Sequence, residues 1–181
     1  MTRHGRPSAE RIPQVDFVEE SLRSDADYTI WRALTRARDS VFRARALELA
    51  SYDLSPIETL VLFLLMDARE KPTPAELSRR MLRRHNSVSG LLRRMEARGL
   101  LEKSRDSKKG NVWRVHLTAK GKAVCRGAMK INALHIVMSS LSNSQKEALV
   151  RNLSKITEAA LSLESDLSSR ISPSKSRIAT P

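Results

Sequence analysis

Two segments of this chain begin in the same way, and together they limit what it can fold into more than any other feature. Ser55-Pro56-Ile57-Glu58 and Thr73-Pro74-Ala75-Glu76 each set a hydroxyl side chain, then Pro, then Glu three residues after the hydroxyl. The hydroxyl accepts a hydrogen bond from a free amide of the first helical turn, and the Glu side chain reaches back to the cap's own amide. Pro fits the first helical position because its missing N–H has no partner there anyway. Each segment therefore predicts a helix start. The first helix carries Ile57, Leu60, Val61, Leu64 and Leu65 on one side, and the second ends near Met81. A third helix begins near Asn86, turns Val88, Leu91, Leu92 and Met95 inward, and stops at Gly99, where a left-handed residue closes a helix.

Strand signals follow. Residues 100–104 read as a short strand, and Trp113, Val115 and Leu117 alternate with Arg114 and His116 to give a second. Residues 106–111 between them are turn chemistry with a basic tip, so a β-hairpin is expected. Ahead of the twin starts, Ile30, Leu34, Ala37 and Val41 recur at helical spacing over 27–50. Behind the hairpin, one long helix is expected over 118–139 and another from Ser144-Gln-Lys-Glu147. In the latter Leu149, Leu153, Ile156, Ala160, Leu163 and Leu167 are spaced 4-3-4-3-4, a coiled-coil-like seam. Packing on the chain's own first helix would use that seam, but both terminal helices lack another partner, so a subunit interface that includes Ile30 and Leu34 is favoured.

The expected fold is mainly α with a small β-hairpin wing: a winged helix-turn-helix flanked by N- and C-terminal dimerisation helices. The segments are a flexible arm (1–26, with a short helix at 17–22), a dimerisation helix (27–54), the winged helix-turn-helix (55–118), C-terminal dimerisation helices (119–169) and a disordered basic tail (170–181). Aromatics at 4% argue against a large β-sandwich. The longest apolar run, Leu60 to Met66, is far short of the roughly 18 residues a membrane span needs. The N-terminus is polar and lacks the apolar stretch of a signal peptide, and a single cysteine, Cys125, excludes an intrachain disulfide. These features point to the cytoplasm.

Charge points to the partner. Lys71 to Lys122 holds 15 Lys/Arg against 4 Asp/Glu, a net of +11, whereas the remainder holds 18 against 16, a net of +2. A solvated surface would mix the signs, so one contiguous third of the chain is built for a polyanion. The third helix offers Ser87, Ser89, Gly90, Arg93 and Arg94 on its outward side, and a helix of this kind enters the DNA major groove. Asn86 begins it; Arg83, Arg84 and His85 in the preceding turn are placed for phosphates. Lys108 and Lys109 at the hairpin tip, with Arg105 and Asn111 beside it, reach for the backbone or a minor groove. Solvation alone would also account for Lys108 and Lys109, and for Arg79 and Arg80 it is an equal reading. No Gly-rich phosphate loop, nucleophile elbow or paired His/carboxylate motif is present, so an enzyme is not expected. His4, His85, His116 and His135 do not fall at metal-ligand spacing, and no metal is expected. Cys125 reads as an ordinary semi-buried thiol rather than a redox sensor.

The stretch from Leu54 to Gly121 resembles the multiple antibiotic resistance regulator (MarR) family, on the matching pieces LSPIETLVLFLL, TPAELSRRM, NSVSGLLRRMEARGLLEK and VHLTAKGKAV in that order. The resemblance implies an obligate dimer held by its first and last helices, a palindromic operator, repression, and release by a small aromatic or acidic effector. It places that effector between the dimerisation and DNA-binding lobes, where Trp31, Phe42 and Phe63 are candidate wall residues. The family's wing carries an Asp-x-Arg at a fixed distance before the Leu-Thr pair. Those positions hold Lys109 and Asn111 here, with Arg105 and Asp106 upstream. Lys108, Lys109 or Arg105 would then take over the wing contact. Another reading is a winged helix that serves as a protein-interaction or architectural module, binding DNA without sequence preference.

Overall fold

A computed structural model describes residues 22–106 and 110–171. Asp25 opens the first helix, α1 (Ala26–Leu49), by accepting from the Tyr28 amide at 2.8 Å. Residues 22–24 ahead of it are helical, so the last part of the expected arm is structured. The rest of the arm, with its expected short helix at 17–22 and His4, lies outside the described residues apart from Leu22. A 3-10 turn (Ala50–Tyr52) follows α1 and leads to Asp53, whose backbone is left-handed at φ 51°.

Both capping boxes form as read. Ser55 caps α2 (Pro56–Met66) and Thr73 caps α3 (Pro74–Arg80), with Glu58 and Glu76 returning to the cap amides at 2.8 and 2.7 Å. The stripe of α2 differs from expectation. Val61, Leu62 and Leu65 are buried together with Glu58, whereas Leu60 is 40% exposed. Positions 58, 61, 62 and 65 follow the helical repeat on one face, and 60 falls off it. Next come α4 (His85–Ala97), β1 (Leu101–Arg105) and β2 (Trp113–Leu117). The strands are antiparallel, in register from Leu101 opposite Leu117 to Arg105 opposite Trp113. The face of this hairpin that carries Leu101, Val115 and Leu117 is buried, and the Val115 amide donates to the Pro72 carbonyl at 2.9 Å. That bond ties the hairpin to the loop ahead of α3.

The helix expected over 118–139 is two helices, α5 (Ala119–Ala128) and α6 (Asn132–Met138). The break has a physical cause that the periodicity of the sequence does not carry. Arg45, only 6% exposed on α1, donates to the Ala128 carbonyl at 2.5 Å and the Lys130 carbonyl at 2.9 Å. Its ion-pair partner Glu48 accepts from the Ala133 amide at 3.1 Å. One side-chain pair thus takes up the carbonyls that end α5 and an amide that begins α6, the groups a helix break leaves unsatisfied. Burial alone would raise the Glu48 carboxyl, but the Ala133 amide and the Arg45 guanidinium outweigh it and hold it below the ordinary value.

The last helix, α7 (Asn143–Ile171), starts two residues earlier than expected. Ser142 is its cap, exchanging hydrogen bonds with Gln145 at 2.9 and 3.3 Å, so the box is Ser142-x-x-Gln145 and not Ser144-x-x-Glu147. It runs to Ile171, past the expected tail boundary at 170; residues 172–181 lie outside the described ones. The chain divides into two compact units, one ending at Leu134 and the other beginning at His135. The apolar core belongs to the first unit and joins Leu49, Leu62, Leu77, Val88, Leu92 and Val115.

Thr118 explains the Leu-Thr-x-x-Gly pattern. Its hydroxyl donates to the Gly99 carbonyl at 2.7 Å and accepts from the Gly121 amide at 3.0 Å, which presses the first turn of α5 onto the start of β1. A Cβ on Gly121 would lie 1.8 Å from the Leu100 carbonyl oxygen, a backbone atom that cannot swing away. A Cβ on Gly127 would meet only the Tyr52 ring, at 2.5 Å, which can shift. Both sit in α5, where helix propensity alone favours Ala by about 1 kcal/mol. We expect Gly121→Ala to destabilise by about 3 kcal/mol or more through overpacking, and Gly127→Ala to cost under about 1 kcal/mol. Urea denaturation of the two variants checks this, and equal midpoints would refute the close approach.

Candidate nucleic-acid interface

The tight turn between α3 and α4 is made without glycine. Leu82 takes a left-handed backbone at φ 50°, with its amide bonded to the Arg79 carbonyl at 3.1 Å and that of Arg83 to Ser78 at 3.0 Å. This is the usual hydrogen-bond pattern that ends a helix, formed here by a residue with a Cβ at a cost of about 1 kcal/mol. The turn delivers the chain to Arg84, which starts α4 in extended conformation with no side-chain cap. Asp25, Ser55, Thr73 and Thr118 cap α1, α2, α3 and α5 with their side chains. The amino end of α4 is thus left with amides that an anion can take up.

All four residues read as inward on α4 are buried: Val88 0%, Leu91 5%, Leu92 0% and Met95 0% exposed. Gly99 closes this helix at φ 67° as expected. Arg84, His85, Asn86, Ser87, Arg93 and Arg94 are exposed, and Ser89 and Gly90 are half-buried. The Ser89 hydroxyl lies 3.3 Å from His85 Nε2, one turn back.

The basic residues fall into two groups. Arg98 bridges Glu58 and Asp53 at 2.9 Å each, Lys103 meets Glu96 at 2.7 Å, and Arg114 meets Asp106 at 2.7 Å and Glu76 at 3.4 Å. These tie α4 to α2, β1 to α4, and the wing to α3. The Asp106 carboxylate holds the Arg114 guanidinium above its ordinary range. Arg83, Arg84, Arg93 and Arg94, by contrast, have no carboxylate partner among the described residues. The paired cations hold the fold, while four of the unpaired ones lie on α4 and the turn before it and others stand on α3, in the wing and on α5, among them Arg79, Arg80, Arg105 and Lys122. Sequence reading missed the roles of Arg98 and Arg114. Their partners are 38 to 45 residues away or across the hairpin, and no local spacing signals them.

In the wing, Arg105 and Asn111 are exposed; Lys108 and Lys109 lie outside the described residues. A cleft of about 700 Å³ opens between α3, α4 and the wing, lined among others by Pro74, Ser89, Leu92, Arg93, Lys103 and Trp113. Sequence reading did not anticipate it. The candidate effector walls lie elsewhere. Trp31 is 58% exposed and stacks on Tyr28, Phe42 is 38% exposed beneath Arg38, and Phe63 is half-buried against the core. Of the expected interface residues, Ile30 is exposed and Leu34 half-buried on α1. In the second unit Leu149, Leu153, Ile156, Ala160, Leu163 and Leu167 are all exposed along α7.

Cys125 is fully buried rather than semi-buried, and burial pushes its thiol up against the opposing pull of Arg126, which disfavours the reactive thiolate. Among the described residues no group of His, Cys, Asp and Glu is placed to hold a metal. No single helix among them is long and apolar enough to cross a membrane.

Comparison with known proteins fits this geometry. The MarR family model matches residues 52–110. The ligand-free structure of the organohalide-sensing transcriptional regulator RdhR is 30% identical, with a TM-score of 0.71 over 77% of this chain and 83% of that one. Its 2,4-dichlorophenol-bound form is 26% identical, with a TM-score of 0.73 over 87% of this chain and 91% of that one. The repressor CouR bound to a DNA duplex shares the fold at 24% identity and a TM-score of 0.65, over 81% of this chain and 99% of that one. No curated protein sequence shows a significant match. A family model on the helix-turn-helix and the first strand of the wing, joined to a relative at 30% identity over most of its length, places the chain in the MarR family of winged-helix transcriptional regulators.

Proposed function

We propose that this chain is a sequence-specific double-stranded DNA-binding regulator that works in the cytoplasm as a homodimer on a palindromic operator, as a repressor released by a small aromatic or acidic effector. One observation carries the reading. The four buried residues of α4 fix its rotation so that Ser87, Arg93 and Arg94, with Arg84 at its uncapped amino end, share an exposed surface without carboxylate partners. Ser87, Ser89 and Arg93 are assigned to base edges. Arg84, Lys108 and Lys109 are assigned mainly to the backbone. Half-sites about 10 bp apart suit a symmetric dimer. Relatives support the reading: CouR is a repressor solved on DNA, and a mutant of E. coli MarR is solved with operator DNA.

The two classes of contact fail differently. Arg93→Ala should cost about 1–3 kcal/mol and relax preference at one symmetric pair of positions. Lys108→Ala with Lys109→Ala should weaken all sequences alike and flatten the salt dependence, since fewer counterions are released. Binding to operator and scrambled duplexes at several salt concentrations checks both. Equal affinity of the wild type for the two duplexes would favour the architectural module instead.

The α7 seam motivates the dimer. Six apolar positions at 4-3-4-3-4 spacing stand exposed in the single chain. A dimer is expected in sedimentation at micromolar concentration, and Leu153→Asp with Ile156→Asp should yield monomers or unfolded chains, because a buried unpaired charge is costly. A wild-type monomer that binds operator tightly would contradict it.

The effector reading is motivated by RdhR, which is solved with 2,4-dichlorophenol. In this chain the seat is either beside Trp31, Phe42 and Phe63 or in the cleft lined by Pro74, Leu92 and Trp113, where Arg93 supplies a cation. Effector and DNA must then antagonise each other by the same factor. Titration of chlorophenols and benzoates should weaken operator binding; tight binders that leave operator affinity unchanged would sink this mechanism.

A further inference from the structure

Trp113 stands at the outer end of the hairpin face that buries Val115 and Leu117, and there that face runs out past the core. An indole in this position is 47% exposed, an unusual place for the largest apolar side chain in the hairpin. What it touches is charged. Arg105 is its cross-strand partner in register, with the guanidinium carbon 5.3 Å from the ring centroid. Arg105 Nη1 also donates to the Gly110 carbonyl at 3.3 Å. No carboxylate pairs with Arg105 among the described residues, whereas Arg114 on the other face of the hairpin is held by Asp106 and Glu76. The same indole lines the cleft whose opposite wall is α4, with Ser89 and Arg93. It therefore lies between the base-reading surface and the one wing arginine of the described residues whose charge is uncompensated.

Stacking keeps the guanidinium's full charge and its outward donors, and it removes rotamer freedom that a long free side chain would have to lose on binding. A narrow A·T-rich minor groove concentrates negative potential and attracts a guanidinium. We propose that Trp113 is a positioning residue that holds Arg105 for insertion into the minor groove beside the major groove occupied by α4, so that this stacked pair reads A·T against G·C at the operator flanks. The proposal rests on the DNA-binding reading above.

The test uses the full chain and a duplex selected by the wild type from a random pool. Flanking A·T pairs are replaced by G·C, which adds an amino group to the minor groove, or by inosine·C, which does not. The wild type is expected to lose roughly tenfold on G·C replacement and little on inosine·C replacement. Trp113→Leu and Arg105→Ala should each bind more weakly and lose most of that discrimination, while Trp113→Phe, which keeps a ring under the guanidinium, retains it. A merely structural tryptophan would change affinity without changing the G·C-to-inosine ratio. Arg105→Ala removes an exposed side chain and stands in should Trp113→Leu fold poorly. Unchanged discrimination in Arg105→Ala, or in a folded Trp113→Leu, overturns this inference and leaves the DNA-binding reading intact. A wild type that selects no duplex overturns both.

Discussion

The seam of Val88, Leu91, Leu92 and Met95 is the interaction on which the rest of this structure depends. Four apolar side chains on one helix, none more than 5% exposed, leave α4 a single rotation about its axis. Turning the helix by one residue, about 100°, would expose this seam and drive arginines into the core. Everything proposed for the outer face is therefore a consequence of burial on the inner one. The neighbouring elements reinforce the choice. Arg98 ties the end of α4 to Glu58 at the start of α2, and Thr118 grips the Gly99 carbonyl just beyond it.

Charge is allotted by the same geometry. A net of +11 over 52 residues would repel itself in a compact fold if it were left uncompensated throughout. Three of the four carboxylates of this region are placed at seams: Glu76 and Asp106 on Arg114, Glu96 on Lys103. Uncompensated cations remain on α4 and the turn that feeds it, with Arg105 in the wing and Arg79 and Arg80 on α3. A regulator whose partner supplies the missing negative charge needs this distribution, because the self-repulsion is relieved only on binding.

Much of this was legible from residue order. The two hydroxyl-Pro-x-Glu starts, the left-handed Gly99, the hairpin and the inward face of α4 are local patterns, and each maps onto one element. The departures are long-range. The break between α5 and α6 depends on Arg45 and Glu48, more than 80 residues away, filling helix-end groups. The stripe of α2 was misjudged at Leu60 because that helix is apolar nearly all round, and only packing decides which side goes in. The stacked Arg105 and Trp113 needed the strand register, which sequence placed only to within a residue at β1.

The contact proposed for the outward face of α4 is with base edges in the major groove, Arg93 lying on guanine. Methylation interference measures this directly, since a methyl group on guanine N7 blocks that edge. Wild-type binding to its operator is expected to be blocked at guanines in two symmetric clusters about one helical turn apart, with Arg93→Ala losing sensitivity at one symmetric pair. An interference pattern identical in wild type and Arg93→Ala, or confined to minor-groove positions, would contradict it.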